Sequence, residues 1–244
     1  MKISIITATF NCESTIEKAL LSVAEQTYSN IEHIIIDGAS SDNTISIVEK
    51  FHHVSKIISE KDEGIYFALN KGILMAEGDV IGFLHADDFF AENNVISEIV
   101  EKFSFADAVY GDLDYVSSGD NLKIVRHWVA GIFSENKLKK GWMPPHPTFF
   151  AKKSLYEENG LFDTNFKISA DYDLMLRFLC KNISVVYLPK VLVKMRVGGV
   201  SNKSLKNILL KSKEDFKAIR KNKIGGVFTL LNKNISKLSQ FWKK

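Results

Sequence analysis

Apolar and polar positions alternate in a regular order over the first hundred residues. Short runs rich in isoleucine and valine have the length and composition of strands that are buried on both faces, at residues 2–8, 31–36, 54–59 and 79–84. The intervening segments repeat apolar residues every three to four positions, as helices do, over about 14–26, 43–51 and 65–75. This βαβαβαβ order predicts an α/β fold with a mostly parallel, Rossmann-like sheet flanked by helices.

The elements become shorter and less regular beyond about residue 107. We predict strands over 109–115 and 122–128, short helices over 152–159 and 172–180, and two edge strands, 185–188 and 191–195, on either side of Pro189. No low-complexity linker separates the two parts of residues 1–202. We therefore interpret 1–110 and 111–202 as two halves of one compact domain.

Charge is distributed unevenly along the chain. Over 244 residues the formal net charge is only +3, which does not favour nucleic-acid binding. Residues 203–244 nevertheless hold 12 of the 32 basic side chains and 2 of the 29 acidic ones, a net charge of +10, so residues 1–202 carry −7. The chain thus consists of an acidic body and a basic tail.

The basic tail has the periodicity of amphipathic helices. Its apolar positions are Ile224, Val227, Phe228, Leu231, Ile235, Leu238 and Trp242, with Lys233, Lys237 and Lys243 among the polar positions. Two interpretations remain open. The tail either packs on the body with a solvated lysine face, or attaches to an anionic membrane surface through an apolar face that includes Phe228, Leu231 and Trp242.

Cysteine usage and hydropathy favour a cytoplasmic protein. Cys12 and Cys180 are the only cysteines and form no CxxC pair, so neither a disulfide framework nor a zinc knuckle is expected. The N-terminus lacks the apolar run of a signal peptide, and no run of 18 apolar residues occurs. We therefore expect neither export by that route nor a membrane-spanning helix.

Polar residues gather where the first two predicted strands end. The first strand leads into Thr7-Ala8-Thr9-Phe10-Asn11, and the second into Asp37-Gly38 and the polar segment 39–44. Open α/β sheets bind their ligands outside the carboxyl ends of the strands. A surface turn explains Asp37-Gly38 equally well when it is taken alone, but the two strand ends together favour a ligand site.

Acidic residues also follow the third and fourth strands. Asp62 lies in the charged loop 59–64, where it either reaches a nucleoside or is simply solvated. Asp87 and Asp88 come shortly after the apolar strand 79–84. Adjacent carboxylates repel each other, and a divalent cation that bridges phosphate oxygens relieves the repulsion. The alternative, an N-cap role for Asp88, leaves Asp87 unexplained.

The second half contributes a histidine and another pair of carboxylates. His146 follows two prolines in a stiff loop, where it is either a ligand contact or a buried, hydrogen-bonded residue. Asp171 and Asp173 stand at a predicted helix start. An aspartate there either caps the helix or, because the helix dipole keeps it deprotonated, serves as a general base.

Taken in order, these segments resemble the family 2 glycosyltransferases with the GT-A fold, over about residues 1–200. The segments that carry the resemblance are 7–11, 37–44, Gly64-Ile65-Tyr66, Asn70-Lys71-Gly72, Ala86-Asp87-Asp88, His146, Ala170-Asp171 and Arg196-Val197-Gly198-Gly199-Val200-Ser201. The resemblance implies an inverting transfer of a sugar from a nucleoside diphosphate sugar to a hydroxyl acceptor. Residues 1–110 would bind the donor, and 111–202 would bind the acceptor and supply the base.

The resemblance also implies roles for individual residues. Asp171 matches the catalytic base, and Asp88 matches the carboxylate that holds Mg²⁺ or Mn²⁺ against the diphosphate, with His146 as a further metal or diphosphate contact. The implied donor-binding residues are Thr7, Thr9 and Asp37 at the base, Asp62 at the base or ribose, Asp87 at the ribose or sugar, and Arg196 at the diphosphate. The favoured donor is a UDP-sugar.

The leading hypothesis is a metal-dependent transferase that adds one sugar to a lipid-linked intermediate of a surface polysaccharide, at the inner face of the cell membrane. Single addition is expected because the Gln-x-x-Arg-Trp signature of processive synthases is missing; the only glutamines are Gln26 and Gln240. One alternative is a sugar-phosphate nucleotidyltransferase, although the Gly-rich, basic phosphate loop typical of that class is absent after the first strand. The other is an inactive nucleotide-binding module.

Overall fold

A computed structural model describes residues 1–119, 122–198 and 205–238. Its first part follows the predicted βαβαβαβ order. The elements are β1 (Ile3–Thr9), α1 (Ile16–Ala24), β2 (Ile31–Asp37), α2 (Thr44–Val48), β3 (Val54–Ser59), α3 (Ile65–Met75) and β4 (Val80–Phe83). The strands are parallel, with Thr9 of β1 beside Asp37 of β2 and Ile3 of β1 beside Val80 of β4. Their carboxyl ends therefore meet at one edge.

The second half extends the same sheet instead of forming a separate layer. Its elements are β5 (Asp88–Phe90), α4 (Val95–Lys102), β6 (Ala108–Val116), β7 (Ile124–Trp128), α5 (Glu135–Lys139), a 3₁₀ turn (His146–Thr148), β8 (Phe150–Lys152), α6 (Lys153–Asn159), α7 (Ala170–Leu179) and β9 (Val185–Arg196). The strand order is β3-β2-β1-β4-β8-β6-β9-β5, and β7 pairs with β6. Among the described residues, three clusters of buried apolar side chains lie around this sheet.

The prediction of two edge strands around Pro189 is wrong. The structure has one strand there, β9, which lies inside the sheet between β6 and β5. The pairing of β6 with β9 shifts register next to Asp112, opposite the segment that contains Pro189. A proline interrupts a strand's hydrogen bonding because it has no N–H, and this irregularity lets a single strand continue past it.

Over residues 205–238, the described part of the basic tail, there are two helices, α8 (Leu205–Lys221) and α9 (Val227–Leu238). Helix α8 packs against the body, since its Ala218 and Ile219 are completely buried. Trp242 of the predicted apolar face and Lys243 of the predicted polar positions lie outside the described residues. Within the described ranges, no helix combines the length and hydropathy that crossing a bilayer requires.

Helix α9 is amphipathic in the opposite sense to an ordinary surface helix. Its buried positions are polar: Thr229 is 4% exposed and Lys233 only 1%, so Lys233 is not part of a solvated lysine face. The Thr229 hydroxyl donates a hydrogen bond to the Lys139 carbonyl at 2.8 Å. The exposed positions include four apolar residues, Val227, Phe228, Leu231 and Ile235, together with the polar Asn232, Asn234 and Ser236, while Leu230 is partly buried against the core. The tail therefore packs on the body and still presents an apolar face outward.

Candidate active site

The ends of β1 and β2 form one wall of the candidate site. Thr7 and Asp37 are fully buried, and Thr9 is 5% exposed. The Thr7 hydroxyl is hydrogen-bonded to Nε2 of His33 at 3.0 Å, whereas the buried Thr9 hydroxyl has no hydrogen-bond partner among the described residues. Asp37 accepts a hydrogen bond from the Ser59 hydroxyl at 2.6 Å. Of these three side chains, only that of Thr9 makes no hydrogen bond within the described residues.

Asp62 lies beside the start of α3 and is held by a lysine. Its Oδ1 forms an ion pair with Nζ of Lys71, which also contacts Glu60 at 2.7 Å. The other carboxylate oxygen of Asp62 is buried and has no partner within the described part of the chain. Lys71, which lies in one of the segments that carry the resemblance, therefore orients Asp62 and leaves one oxygen available.

Asp88 begins β5 and is the most unusual group at this edge. Its side chain is 1% exposed, and neither carboxylate oxygen has a hydrogen-bond partner among the described residues. Burial, together with the nearby charge of Asp87, raises the pKa of the Asp88 carboxyl well above its ordinary value, and Arg196 partly opposes this rise. A buried carboxylate without donors is costly unless a ligand compensates it.

Arg196 is fixed at the end of β9, beside these carboxylates. Its Nη1 donates a hydrogen bond to the carbonyl oxygen of Asp87 at 3.0 Å, and its guanidinium lies 5.7 Å from the ring centroid of Phe89. The pairing of β5 with β9 puts Asp88 opposite Met195. The guanidinium of Arg196 and the carboxylate of Asp88 therefore belong to neighbouring strands, β9 and β5.

Two histidines approach each other next to β4. The ring of His146 stacks on Phe83, with 5.1 Å between centroids, and lies 6.1 Å from the ring of His85. Nε2 of His146 and Nδ1 of His85 are buried without partners in the described structure. Burial lowers the pKa of His146 to about 4 and also lowers the pKa of His85, so both rings are neutral at pH 7. Neutral imidazoles can accept a hydrogen bond or ligate a metal.

Asp171 stands in the first turn of α7 and faces the same region. Its Oδ1 accepts a hydrogen bond from the backbone N–H of Tyr172 at 2.8 Å, and its side chain keeps partial contact with solvent. The charge of Asp171 partly offsets the effect of burial on the pKa of both His85 and His146. The first turn of α7, the 3₁₀ turn and the end of β4 therefore converge.

The structure thus brings Asp87, Asp88, His146, Asp171 and Arg196 to one region, with Thr9 and Asp62 at the neighbouring strand ends. Thr7 and Asp37 lie beneath this surface. Sequence reasoning assigned no role to His85, whose ring lies beside that of His146. This histidine directly precedes Ala86-Asp87-Asp88 in the sequence. Within the described ranges, no three His, Cys, Asp or Glu side chains cluster as a metal site.

Proteins of a known enzyme family have sequences similar to that of this chain. The profile of "Glycosyl transferase family 2" matches residues 4–167. An uncharacterized glycosyltransferase of Mycobacterium tuberculosis is 32% identical over 75% of this chain and 71% of its own length. The Escherichia coli protein WfaP, named as a UDP-Glc:alpha-D-GlcNAc-diphosphoundecaprenol beta-1,3-glucosyltransferase, is 29% identical over 86% of this chain and 84% of its own length.

Solved structures share the fold at lower sequence identity. TarS 1–349 of S. aureus, in complex with UDP-GlcNAc, superposes with a TM-score of 0.72 and 18% identity, over 91% of this chain and 65% of TarS 1–349. A longer TarS structure also matches, and this chain spans only 39% of its length. The mannosyltransferase PcManGT of Pyrobaculum calidifontis, in complex with GDP-Man and Mn²⁺, gives a TM-score of 0.68 and 17% identity, over 99% of this chain and 71% of PcManGT. The resemblance drawn from the ordered motifs is therefore confirmed: the chain is a glycosyltransferase of family 2 with the GT-A fold.

Proposed function

We propose that the protein is an inverting, metal-dependent glycosyltransferase that moves one sugar from a UDP-sugar to a lipid-linked hydroxyl acceptor. The observation that carries this proposal is that two carboxylates lie near His85: Asp88, which is buried without a hydrogen-bond partner among the described residues, and Asp171, which is partly exposed. Asp88 is suited to bind a cation, and Asp171 is suited to accept a proton. Transfer between a diphosphate donor and a hydroxyl acceptor uses both.

The residues present fit a divalent cation. Both oxygens of Asp88 lack a donor among the described residues, and Nε2 of His146 is likewise unpartnered. Mg²⁺ and Mn²⁺ prefer oxygen ligands, and in phosphate sites they commonly use one or two carboxylates together with the substrate's phosphates. Asp88 would hold the cation, with His146 as a further contact. The bound ion would supply charge stabilisation for the diphosphate leaving group.

The donor side of the site is assigned to the edge formed by β1, β2 and β3. Thr9 and Asp62 each keep one buried oxygen without a partner in the described structure, and these can bond the base or ribose. Thr7 and Asp37 lie beneath and are tied to His33 and Ser59, so they shape the base pocket from below. Arg196, next to Asp87, is assigned to the diphosphate.

Asp171 supplies the base in this proposal. Its carboxylate accepts the proton of the acceptor hydroxyl while that oxygen forms a bond to the anomeric carbon. The bond from the anomeric carbon to the diphosphate breaks on the opposite face, and its electron pair leaves with the diphosphate, which inverts the configuration. The N–H of Tyr172 fixes one carboxylate oxygen and so orients the other.

A nucleotide-specific thermal shift tests the donor assignment. In the presence of Mn²⁺, we expect UDP to raise the melting temperature more than GDP or dTDP, because ligand at one hundred times its Kd adds about 2.7 kcal/mol to the free energy of unfolding. The measurement is a melting curve with each nucleotide, with and without Mn²⁺. Equal shifts for all three nucleotides would contradict the base assignment, and no shift with any nucleotide would contradict the donor site.

Two assays separate transfer from the other hypotheses. A nucleotidyltransferase would release pyrophosphate from a nucleoside triphosphate and a sugar phosphate, whereas a glycosyltransferase releases a nucleoside diphosphate from a nucleotide sugar. An inactive binding module would bind UDP and release nothing. We expect UDP release from a UDP-sugar and no pyrophosphate; the converse result would refute the proposed reaction.

A lipid-linked acceptor is supported by the outward apolar face of α9. Val227, Phe228, Leu231 and Ile235 are each about half or more exposed, and Phe228 reaches 84%. Exposed Lys139, which ends α5, and exposed Lys140 lie near α9, whose Thr229 contacts the Lys139 carbonyl. An exposed apolar helix face with lysines nearby suits an anionic bilayer surface. The name of the E. coli relative specifies a diphosphoundecaprenol acceptor, which supports the same location for this protein.

Removing the apolar face of α9 should release the protein from membranes. We expect the double variant Phe228→Ser, Leu231→Ser to bind anionic phosphatidylglycerol vesicles at least about 10-fold more weakly, because burial of one such side chain contributes about 1.5–3 kcal/mol. The measurement is sedimentation with vesicles. The matched control is Phe105→Ser, which removes an exposed phenylalanine between α4 and β6 and should bind normally. Unchanged binding of the double variant would refute this membrane face.

A further inference from the structure

A carboxylate from the tail holds the backbone that leads into the proposed base. Glu214 of α8 is 7% exposed. It accepts hydrogen bonds from three successive amides: Lys167 at 2.9 Å, Ile168 at 2.8 Å and Ser169 at 3.0 Å. Successive N–H groups that converge in this way form an anion-binding nest. Because Asp171 follows two residues later, the nest fixes the entry of the chain into α7.

The same backbone segment is held from the donor side. The hydroxyl of Tyr66 in α3 donates a hydrogen bond to the carbonyl oxygen of Ile168 at 2.6 Å. The Tyr66 ring stacks against Phe162, with 5.5 Å between centroids. Burial raises the pKa of Tyr66 well above its ordinary value, so the hydroxyl keeps its proton and remains a donor. The tail thus binds the N–H of Ile168, and the donor-binding half binds its C=O.

Helix α8 is anchored to the body by contacts other than Glu214. Nζ of Lys221 lies 2.8 Å from the carboxylate of Asp163 and 3.1 Å from that of Asp173. From α9, Nζ of Lys233 lies 2.7 Å from Asp215 and 3.1 Å from the ring centroid of Tyr172. These contacts fix the position of α8, so the charge of Glu214 can be removed without detaching the helix.

We propose that Glu214 is a positioning residue for Asp171, and that Tyr66 positions the same segment from the donor side. This inference rests on the proposed function, in which Asp171 is the base. Hydrogen bonds from N–H groups to a carboxylate are stronger than those to a neutral amide. Without them, the segment 167–169 is free to shift, and a displacement of about 1 Å at a reacting group costs about 100-fold in rate.

The test compares Glu214→Gln, Glu214→Asp and Tyr66→Phe with wild type in kcat, donor KM and donor Kd. We expect Glu214→Gln to lower kcat about 10- to 100-fold, with donor Kd changed by less than about twofold, because the base is displaced while the donor pocket is intact. Glu214→Asp keeps the charge and should recover part of the loss. The control, Glu157→Gln, changes an exposed glutamate on α6 and should leave kcat unchanged.

Each outcome decides the inference. A normal kcat in Glu214→Gln, or a loss of donor affinity as large as the loss of kcat, would overturn it. If Glu214→Gln does not fold, Tyr66→Phe carries the test, with a loss in kcat of about 3- to 10-fold expected and a normal kcat overturning the inference. Failure of the proposed function is recognised separately: Asp171→Asn would then remain active, whatever the Glu214 variants do.

Discussion

Asp171→Asn is expected to lower kcat by about three orders of magnitude, because positioned general bases contribute about 10²- to 10⁴-fold. The amide keeps the size of the carboxylate and can still accept the N–H of Tyr172, but it cannot take the proton of the acceptor hydroxyl. Donor binding should therefore be preserved. The measurement is UDP release in steady state, together with donor binding by calorimetry on the same preparation.

The control for the base variant is again Glu157→Gln, which removes an exposed carboxylate at a distance from the strand ends. It should transfer sugar as the wild type does. Near-normal kcat in Asp171→Asn would exclude this residue as the base, and a parallel loss of donor binding would indicate a structural role. The proposal requires both a strong loss of kcat and an intact donor site.

Asp88→Asn is expected to abolish metal-dependent donor binding and to lower transfer by at least about 100-fold, since a bound cation contributes several kcal/mol of charge stabilisation to the transition state. Without metal, the variant should melt no lower than wild type. The wild-type carboxylate is buried without a hydrogen-bond donor among the described residues, so the native fold loses no such bond when the charge is removed.

Calorimetry with Mn²⁺ and UDP, together with metal-free melting curves, measures both effects. We expect wild type, but not Asp88→Asn, to bind UDP more tightly when Mn²⁺ is added. The matched comparison is Asp62→Asn, which changes a carboxylate that already has Lys71 as a partner and should keep its response to metal. An equal response to Mn²⁺ in wild type and Asp88→Asn would remove Asp88 from the metal site.

The periodic part of the fold could be predicted from the sequence. Strands β1 to β4 have enough β-branched residues to be distinguished from the helices between them, and their ends differ from the predicted ones by at most one residue. The short strands β5 and β8 have three residues each, which is too few for a period to appear. At β9, Pro189 favoured a break, but the register shift beside β6 allowed a continuous strand.

Part of the candidate site could be predicted from the order of the parallel strands. Residues at the ends of parallel strands meet at one edge, and that reasoning puts Thr9 beside Asp37, as the pairing of β1 with β2 has them. It cannot show which side chains lie beneath the surface, as Thr7 and Asp37 do. Nor can it find Glu214, because a contact between the tail and residues 167–169 depends on how α8 packs.

The inverted pattern of α9 also explains why its function could not be decided from periodicity. The spacing of its apolar residues is the same whether that face points inward or outward. The burial of Thr229 and Lys233 shows that α9 packs on the body. Attachment of its exposed apolar side chains to a membrane stays a prediction.

The pairing of β5 with β9 has a consequence for how the protein is made. Asp88 belongs to residues 1–110 in sequence, but the strand that it begins is paired with β9, whose last residue is Arg196. During synthesis the N-terminal βαβαβαβ unit emerges first and can begin to fold, because its contacts join strands that are close in the chain. We therefore expect the edge that joins Asp88 to Arg196 to be completed only after β9 has left the ribosome, so that nascent chains without it remain unable to bind the proposed donor.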